Sequence, residues 1–280
     1  MRKKFYKMHG TGNDYIFFDC MHRTLARPQE IAVKLSDRHF SVGGDGIILI
    51  EKSEVADAKM RIFNADGSEG KMCGNGIRCV AKFLFDSGKV QRRELTVETL
   101  SGVKRLWVYP ADDGTASRVR ADMGRADFTP AAVPVRLEGD RVVNRLVSVG
   151  GKNYPVTCVS MGNPHCVVFS PPPEPFEMIG RAFETSPLFP EGVNAEFAEI
   201  VGEDCLRVRV WERGSGETLS CGSGACASVA AAAENGLCRV GTDVGVRLKG
   251  GELIVNYTRE RVFMTGDAVL AYTGIVEIEE

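Results

Sequence analysis

The stretch MCGNGIRC, residues 72–79, places a cysteine directly before Gly-Asn-Gly, and SCGSGACA, residues 220–227, repeats the arrangement with Gly-Ser-Gly. In both places an apolar segment of about three helical turns follows and ends at a glycine, which is typical of a helix C-terminus. The sequence therefore predicts two helices, each of which begins directly after a cysteine.

A spacing of 148 residues relates the two halves of the chain. Cys73 and Cys221 differ by this number, and so do Gly88 and Gly236. Upstream of the cysteines the spacing drifts to 150, while the order of the matching segments is kept. Internal similarity on this scale indicates two copies of one structural arrangement.

The segments outside these helices alternate apolar and polar residues and are separated by glycine-containing turns, which predicts strands and hairpins. The sequence thus predicts an α/β (α+β) fold of two pseudo-symmetric domains, each a mostly antiparallel sheet with one central helix. We expect an N-terminal domain over residues 1–122, completed by 268–280, and a C-terminal domain over 123–267.

Composition narrows the class of protein. A chain of 280 residues with 44% hydrophobic residues and a net charge of −2 is typical of a soluble globular protein and gives no reason to expect a nucleic-acid partner. No apolar run approaches the ~18 residues that a membrane span needs, and no apolar segment of a signal peptide follows the basic N-terminus. We expect a cytoplasmic protein without a membrane partner.

Nine cysteines are present, an odd number that does not favour a disulfide framework. Cysteines 73 and 79 are spaced C-x5-C, and 221 and 226 are spaced C-x4-C, which does not fit the usual zinc patterns. The sequence therefore predicts no metal site, and it predicts that most thiols are reduced and buried.

A cysteine at a helix N-terminus lies next to unsatisfied backbone N–H groups and a partial positive charge, which can lower the pKa of its thiol. Two such thiols that face each other across an interdomain cleft could invert a carbon carrying an acidic hydrogen. One thiolate would remove the proton from one face, and the other thiol would return a proton to the opposite face. The two helix N-termini would stabilise the charge that develops on a neighbouring carboxylate.

Six motifs resemble those of the diaminopimelate epimerases, in the same order and over nearly the whole chain: KMHGTGNDY, RIFNADGSE, MCGNGIRC, SMGNPHCVV, VNAEF and ERGSGETLSCGSGACA. The resemblance implies an isomerase without a cofactor that interconverts LL- and meso-diaminopimelate for lysine and peptidoglycan supply. It also implies a homodimer and two domains that are each a β-barrel-like sheet around a helix, with the active site in the cleft between them.

The resemblance also implies roles for individual residues. Cys221 would accept the proton in the LL-to-meso direction and Cys73 would donate one, while Gly74, Asn75, Gly222 and Ser223 would offer backbone N–H groups to the reacting carboxylate. The residues expected to hold the amino and carboxylate groups are Asn13, Asn64, Asn163, Asn194, Glu212 and Arg213. Those expected to tune the thiols are His165 and Glu212, and Tyr272 is expected at a dimer contact.

Some of these assignments have alternatives. Asn13, Asn64 and Asn163 lie near glycines, where turn formation also explains an asparagine. Some family members have glutamine where this chain has Gly46, so no side-chain contact is expected from this position.

Other classes of protein also fit parts of the pattern. A proline racemase-like enzyme would also use two thiols, but typically has histidine at the position of Asn75. PhzF-like isomerases share the expected architecture and lack the cysteine pair. A thiol redox protein or a pure binding module would leave the asparagines or the thiols unexplained.

Overall fold

The computed structural model describes residues 1–278, which divide into two compact units. Unit 1 combines residues 1–121 with the chain from Thr265 onward, and unit 2 is the continuous segment 122–264. Unit 2 is therefore inserted into the sequence of unit 1.

The described residues form eighteen strands and four α-helices. The strands are β1 (Arg2–Gly10), β2 (Asn13–Cys20), β3 (Gly46–Glu51), β4 (Ala58–Asn64), β5 (Glu69–Gly70), β6 (Glu94–Thr99), β7 (Gly102–Pro110), β8 (Ala116–Gly124), β9 (Arg145–Val149), β10 (Lys152–Ser160), β11 (Pro164–Val168), β12 (Asn194–Gly202), β13 (Cys205–Glu212), β14 (Gly216–Glu217), β15 (Asp243–Leu248), β16 (Gly251–Tyr257), β17 (Val262–Asp267) and β18 (Val269–Glu277). The helices are α1 (Pro28–Ser36), α2 (Gly74–Asp86), α3 (Phe176–Glu184) and α4 (Gly222–Glu234).

The two units share one strand topology. In unit 1 the strands pair in the order β18-β1-β2-β3-β4-β6-β7, with parallel pairing only at β2–β3 and β4–β6 among these pairs. In unit 2 the order is β9-β10-β11-β12-β13-β15-β16, with parallel pairing at the equivalent places, β11–β12 and β13–β15. The internal repeat and the mixed α/β fold class predicted from the sequence are confirmed.

The spacing of 148 residues holds for the helices. Subtracting it from the bounds of α4 gives the bounds of α2, and subtracting it from those of α3 gives those of α1. The predicted helices after the two cysteines are thus confirmed. Both are followed by a glycine with positive φ, Gly88 at 70° and Gly236 at 73°, as expected for a helix C-terminus.

Beside the predicted central helix, each unit has a second helix that the sequence analysis did not predict, α1 in unit 1 and α3 in unit 2. In unit 1 the residues of β3 are buried on both faces of the sheet. Ile47 and Leu49 pack in a cluster with Ile31 of α1, whereas Ile48 lies against the first turn of α2, where it approaches Gly76. A sheet that is covered on both faces needs strands of continuous apolar residues. The segment GIILI of β3 has this pattern and therefore indicates that a second helix, α1, covers the sheet of unit 1.

Helix α3 occupies the equivalent place in unit 2, where Ile179 and Phe183 join a buried cluster with Phe197 and Trp211. Both missed helices have nine residues, and α3 follows a proline-rich segment, so neither shows a long helical period. Each of the four helices described is too short or too polar to cross a membrane.

Candidate active site

Cys73 is the N-cap of α2. Its backbone is extended, and its Sγ accepts a hydrogen bond from Gly76 N at 3.3 Å, as a serine or aspartate oxygen does at other helix starts. Gly74 and Asn75, the first helical residues, are buried. The sulfur therefore lies at the end of the helix where the backbone N–H groups of the first turn point outward.

A chain of hydrogen bonds fixes the orientation of Asn13 beside Cys73. Asn13 Nδ2 donates to Asp45 Oδ2 at 2.7 Å, and Arg38 donates to Asp45 Oδ1 at 2.9 Å. The amide oxygen of Asn13 consequently faces the sulfur, 3.2 Å from Cys73 Sγ. An amide oxygen can only accept, so this contact is available to the protonated thiol and not to the thiolate.

Tyr15 is a neighbour of Cys73 that the sequence analysis missed. Its side chain is buried and its hydroxyl is within hydrogen-bonding range of Asn13 and Cys73. Burial raises the pKa of Tyr15 well above its usual value, and the nearby Cys73 and Asp45 raise it further. Tyr15 follows Asn13 by two residues on β2, so the strand period places both on one face and could have indicated it.

Asn64 lies at the end of β4, and its described contact is with the following turn. Asn64 Nδ2 donates to Ser68 Oγ at 3.0 Å, and residue 64 pairs with Gly46 on β3. At Gly46, a β-carbon would lie 2.1 Å from Phe63 O, which explains why this chain has no glutamine there.

Cys221 is the N-cap of α4, and its geometry matches that of Cys73. Its Sγ accepts from Gly224 N at 3.4 Å and lies 3.5 Å from Ser223 Oγ. Burial raises the pKa of the Cys221 thiol well above its usual value, and Glu212 raises it further, against the opposing effects of Ser223 and Gly224 N. Desolvation of the buried thiolate is thus the largest effect on the pKa of Cys221, and the donors at the start of α4 act against it.

Ser223 is the first of a row of polar side chains that leads away from Cys221. Asn163 Nδ2 donates to Ser223 Oγ at 3.3 Å, and Asn163 Oδ1 lies 3.0 Å from His165 Nε2. His165 Nδ1 lies 2.6 Å from Glu196 Oε1, and both of these side chains are fully buried. Residues from β11, β12 and the start of α4 thus meet in one network around Cys221.

Glu196 was not predicted. It lies two residues after Asn194 on β12, so the strand period indicates that both face the same side of the sheet. Its Oε1 lies only 2.7 Å from the place that a β-carbon at Gly224 would take, so the glycine is needed to seat the carboxyl group against the start of α4.

Asn194 and Arg213 make contacts that hold the backbone. Asn194 donates to Pro164 O at 2.8 Å and accepts from Arg213 N at 2.8 Å, while Arg213 Nη1 donates to Glu191 O at 2.8 Å. Glu212 Oε1 accepts from Thr218 Oγ1 at 2.5 Å. Glu212 is near enough to Cys221 to affect its thiol, whereas the Arg213 guanidinium is exposed.

Solved structures with this fold include a phenazine biosynthesis protein and an epimerase. A phenazine biosynthesis protein of the PhzF family from Bacillus anthracis has a TM-score of 0.72 at 20% identity and covers 99% of this chain and 100% of its own. A hydroxyproline epimerase from Agrobacterium vitis has a TM-score of 0.72 at 16% identity and covers 98% of this chain and 92% of its own. The chain thus shares the fold of these PhzF-family and epimerase proteins.

Sequence comparison defines the family within that class. The model of the family "Diaminopimelate epimerase" matches residues 5–129 and 157–271. Relatives named diaminopimelate epimerase are 47% identical in Acetivibrio thermocellus, over 99% of both chains, and 47% identical in Desulfitobacterium hafniense, over 96% of both. The chain belongs to the diaminopimelate epimerase family, which confirms the resemblance seen in its motifs.

Proposed function

We propose that the protein interconverts LL-2,6-diaminopimelate and meso-2,6-diaminopimelate by two thiols, without pyridoxal phosphate and without a metal. This reaction would supply precursors of lysine and peptidoglycan. One observation carries the proposal: two copies of one topology each present a cysteine at the same position, the N-cap of a helix of 13 residues.

In this proposal the two units present Cys73 and Cys221 to opposite faces of one carbon. In the LL-to-meso direction, the Cys221 thiolate removes the α-hydrogen as a proton, and the electron pair left on carbon is delocalised into the adjacent carboxylate. The Cys73 thiol then gives a proton to the other face, so that Cys221 ends as a thiol and Cys73 as a thiolate. The contact of Asn13 Oδ1 with Cys73 Sγ supports this direction, since it favours the protonated form of Cys73.

The carboxylate at the reacting carbon would bind to backbone N–H groups of residues 74–75 and 222–223. Such donors aimed at developing charge are usually the largest single contribution to catalysis. The ammonium and carboxylate groups at the two ends of the substrate require both acceptors and donors. The proposed set is Asn13, Asn64, Asn163, Asn194, Glu212 and Arg213, with His165 and Glu212 tuning the thiols.

A homodimer belongs to the same proposal. Tyr272 on β18 is 48% exposed, and Leu270 and Ile275 on this strand are also exposed, which suits an apolar contact with a second copy.

We also place the protein in the cytoplasm. Its recovery in the membrane fraction of lysed cells would contradict that location.

The test of the reaction is hydrogen exchange of LL-diaminopimelate in deuterium oxide, with protein dialysed free of any chromophore. Cys73→Ser and Cys221→Ser should each lose most of the activity, because a serine hydroxyl is too weak an acid to replace the thiol. Cys205→Ser and Cys238→Ser are matched controls that change half-buried thiols elsewhere and should retain activity. Near wild-type turnover of either N-cap variant would refute the two-thiol mechanism.

The choice of substrate has its own control. Lysine lacks only the distal carboxylate, and a site that holds that group should exchange lysine on the order of a hundredfold more slowly. Comparable exchange of lysine or proline by the wild type would refute diaminopimelate as the preferred substrate and would favour a general racemase.

A further inference from the structure

The positions of the hydrogens in the network beside Cys221 follow from its heavy atoms. Asn163 Nδ2 donates to Ser223 Oγ at 3.3 Å, so Asn163 Oδ1 is the atom that faces His165. An amide oxygen can only accept, and the ring proton of His165 therefore lies on Nε2.

A second proton lies between His165 and Glu196. With Nε2 protonated, a neutral ring has a lone pair on Nδ1, and that lone pair would face a carboxylate oxygen at 2.6 Å if Glu196 carried no proton. The buried pair therefore holds two protons in total and has no net charge. This agrees with the cost of placing an uncompensated charge among fully buried side chains.

The surroundings of Glu196 favour the proton on the carboxyl group. Its Oε2 is buried and has no hydrogen-bond partner within residues 1–278, which suits a carbonyl oxygen better than half of a carboxylate. Burial is the largest effect and raises the pKa of Glu196, and Glu212 raises it further, whereas His165 and a hydrogen bond from the Cys166 backbone lower it. The titratable groups that face Glu196 are His165 and Cys166 on β11, Glu212 on β13 and Cys221 before α4.

We propose that protonated Glu196 is a positioning residue for Cys221: its O–H donates to His165 Nδ1, His165 Nε2–H donates to Asn163, and Asn163 donates to Ser223. The Ser223 oxygen then accepts from Asn163, and its own hydrogen is directed at Cys221 Sγ, 3.5 Å away. A hydroxyl donor of this kind stabilises the thiolate, the form that must remove the proton. The inference rests on the proposed function for its role in catalysis.

Unit 1 has the opposite arrangement, which gives the two thiols different partners. There Asp45 holds the amide nitrogen of Asn13, so an oxygen acceptor faces Cys73. In unit 2 the row of donors that starts at Glu196 ends with a donor to Cys221. Cys73 thus faces an acceptor, which suits a thiol, whereas Cys221 faces a donor, which offsets part of the cost of burying its thiolate.

The test compares Glu196→Gln with Glu196→Leu by the rate at which iodoacetamide alkylates Cys221, followed by peptide mass spectrometry from pH 6 to pH 10 without substrate. Only the thiolate reacts, so the rate reports its population. Glutamine has the shape of a protonated glutamate and can donate its N–H to His165 Nδ1, so it should leave the profile unchanged. Leucine removes the donor and should slow Cys221 on the order of tenfold at neutral pH.

The direction in which the alkylation rate of Cys221 changes distinguishes this proposal from a role of Glu196 as a buried negative charge. If Glu196 acted as a buried negative charge, both variants would make Cys221 more reactive, and that result would overturn the proposal. Cys73 in the same samples is an internal control whose rate should not change. Glu199→Leu, on the same strand and partly exposed, is the matched control and should leave Cys221 unaffected.

A double variant tests the connection between Glu196 and the sulfur. Ser223→Ala cuts the network at its last link, so Glu196→Leu should have no further effect on Cys221 in that background. Additive effects would overturn the proposal. Glu196→Gln decides the sign even if Glu196→Leu fails to fold. Alkylation needs no substrate, so a wrong choice of substrate would appear in the exchange assay alone.

Discussion

Replacing Arg78 with methionine should destabilise unit 1 strongly. Arg78 is fully buried on α2, one turn after Cys73. Its Nε donates to Asp267 O at 3.0 Å, Nη1 to Gly74 O at 3.2 Å and Nη2 to Thr11 Oγ1 at 2.9 Å. The guanidinium therefore ties the start of α2 to the turn after β1 and to the end of β17.

The magnitude follows from what the substitution leaves behind. Methionine fills the space of the side-chain stem but provides no donors, so buried oxygens lose a charged partner. Breaking such a buried interaction from one side costs about 3–5 kcal/mol, and we take ~3 kcal/mol because Thr11 keeps its hydrogen bond to Asp267 Oδ1. For a protein of this size, 1 kcal/mol corresponds to roughly 2–4 °C in melting temperature, so the expected fall is about 6–12 °C.

The assay is differential scanning calorimetry at pH 7, with the free energy of unfolding from urea titration as a second measurement. Arg105→Met is the matched control, since Arg105 is 58% exposed and bonds to the exposed Glu94. A surface ion pair contributes at most ~1 kcal/mol, so the control should melt within about 4 °C of wild type. An Arg78→Met protein that melts within the range of the control would refute this account of the buried guanidinium.

Two further predictions concern stability and assembly. Burial alone would raise the pKa of Asp14, but hydrogen bonds from Arg38 and Lys7 outweigh it and keep that pKa below its usual value. A group with a lowered pKa stabilises the fold at pH values above its unfolded pKa, about 3.9 for Asp, and this stabilisation is lost as the pH falls through its pKa in the folded protein. Asp14→Asn should therefore cost ~2 kcal/mol of unfolding free energy at pH 7 and progressively less below about pH 4. A difference in unfolding free energy between wild type and variant, measured by urea titration, that stays constant down to the onset of acid unfolding would contradict this. Tyr272→Glu should convert the proposed dimer to a monomer, as measured by sedimentation velocity. Tyr109→Glu, at a similarly exposed tyrosine, is the control and should leave the dimer intact. A monomeric wild type, or a Tyr272→Glu variant that remains a dimer, would show that Tyr272 is not at a dimer interface.

The parts of the fold that could be predicted from the sequence are those with local signals. The helices α2 and α4 follow from apolar periodicity and a terminal glycine, and the hairpins β6–β7 and β15–β16 from alternation around a turn. Helices α1 and α3 lack such signals, being nine residues long, and the continuous apolar strand β3 indicated only α1.

The candidate site likewise has features that local sequence signals predict and features that depend on residues far apart in the sequence. The N-cap geometry of Cys73 and Cys221 follows from motif and helix, which is local. The burial of Arg78 could not be predicted, because its partners Thr11 and Asp267 are 67 and 189 residues away in sequence. Glu196 is an intermediate case, since the strand period indicated its face but not that His165 would meet it.

The insertion of unit 2 between the two parts of unit 1 has a consequence for biosynthesis. Strand β1 pairs with β2 on one edge and with β18 on the other, and β18 is translated only after all of unit 2. Unit 2 is continuous in sequence and can acquire its structure while the ribosome is still extending the chain, whereas the first 121 residues must wait with one edge of β1 uncovered. The half of the protein made first is therefore completed last, and during that interval the exposed edge of β1 is where nascent chains could aggregate or recruit chaperones.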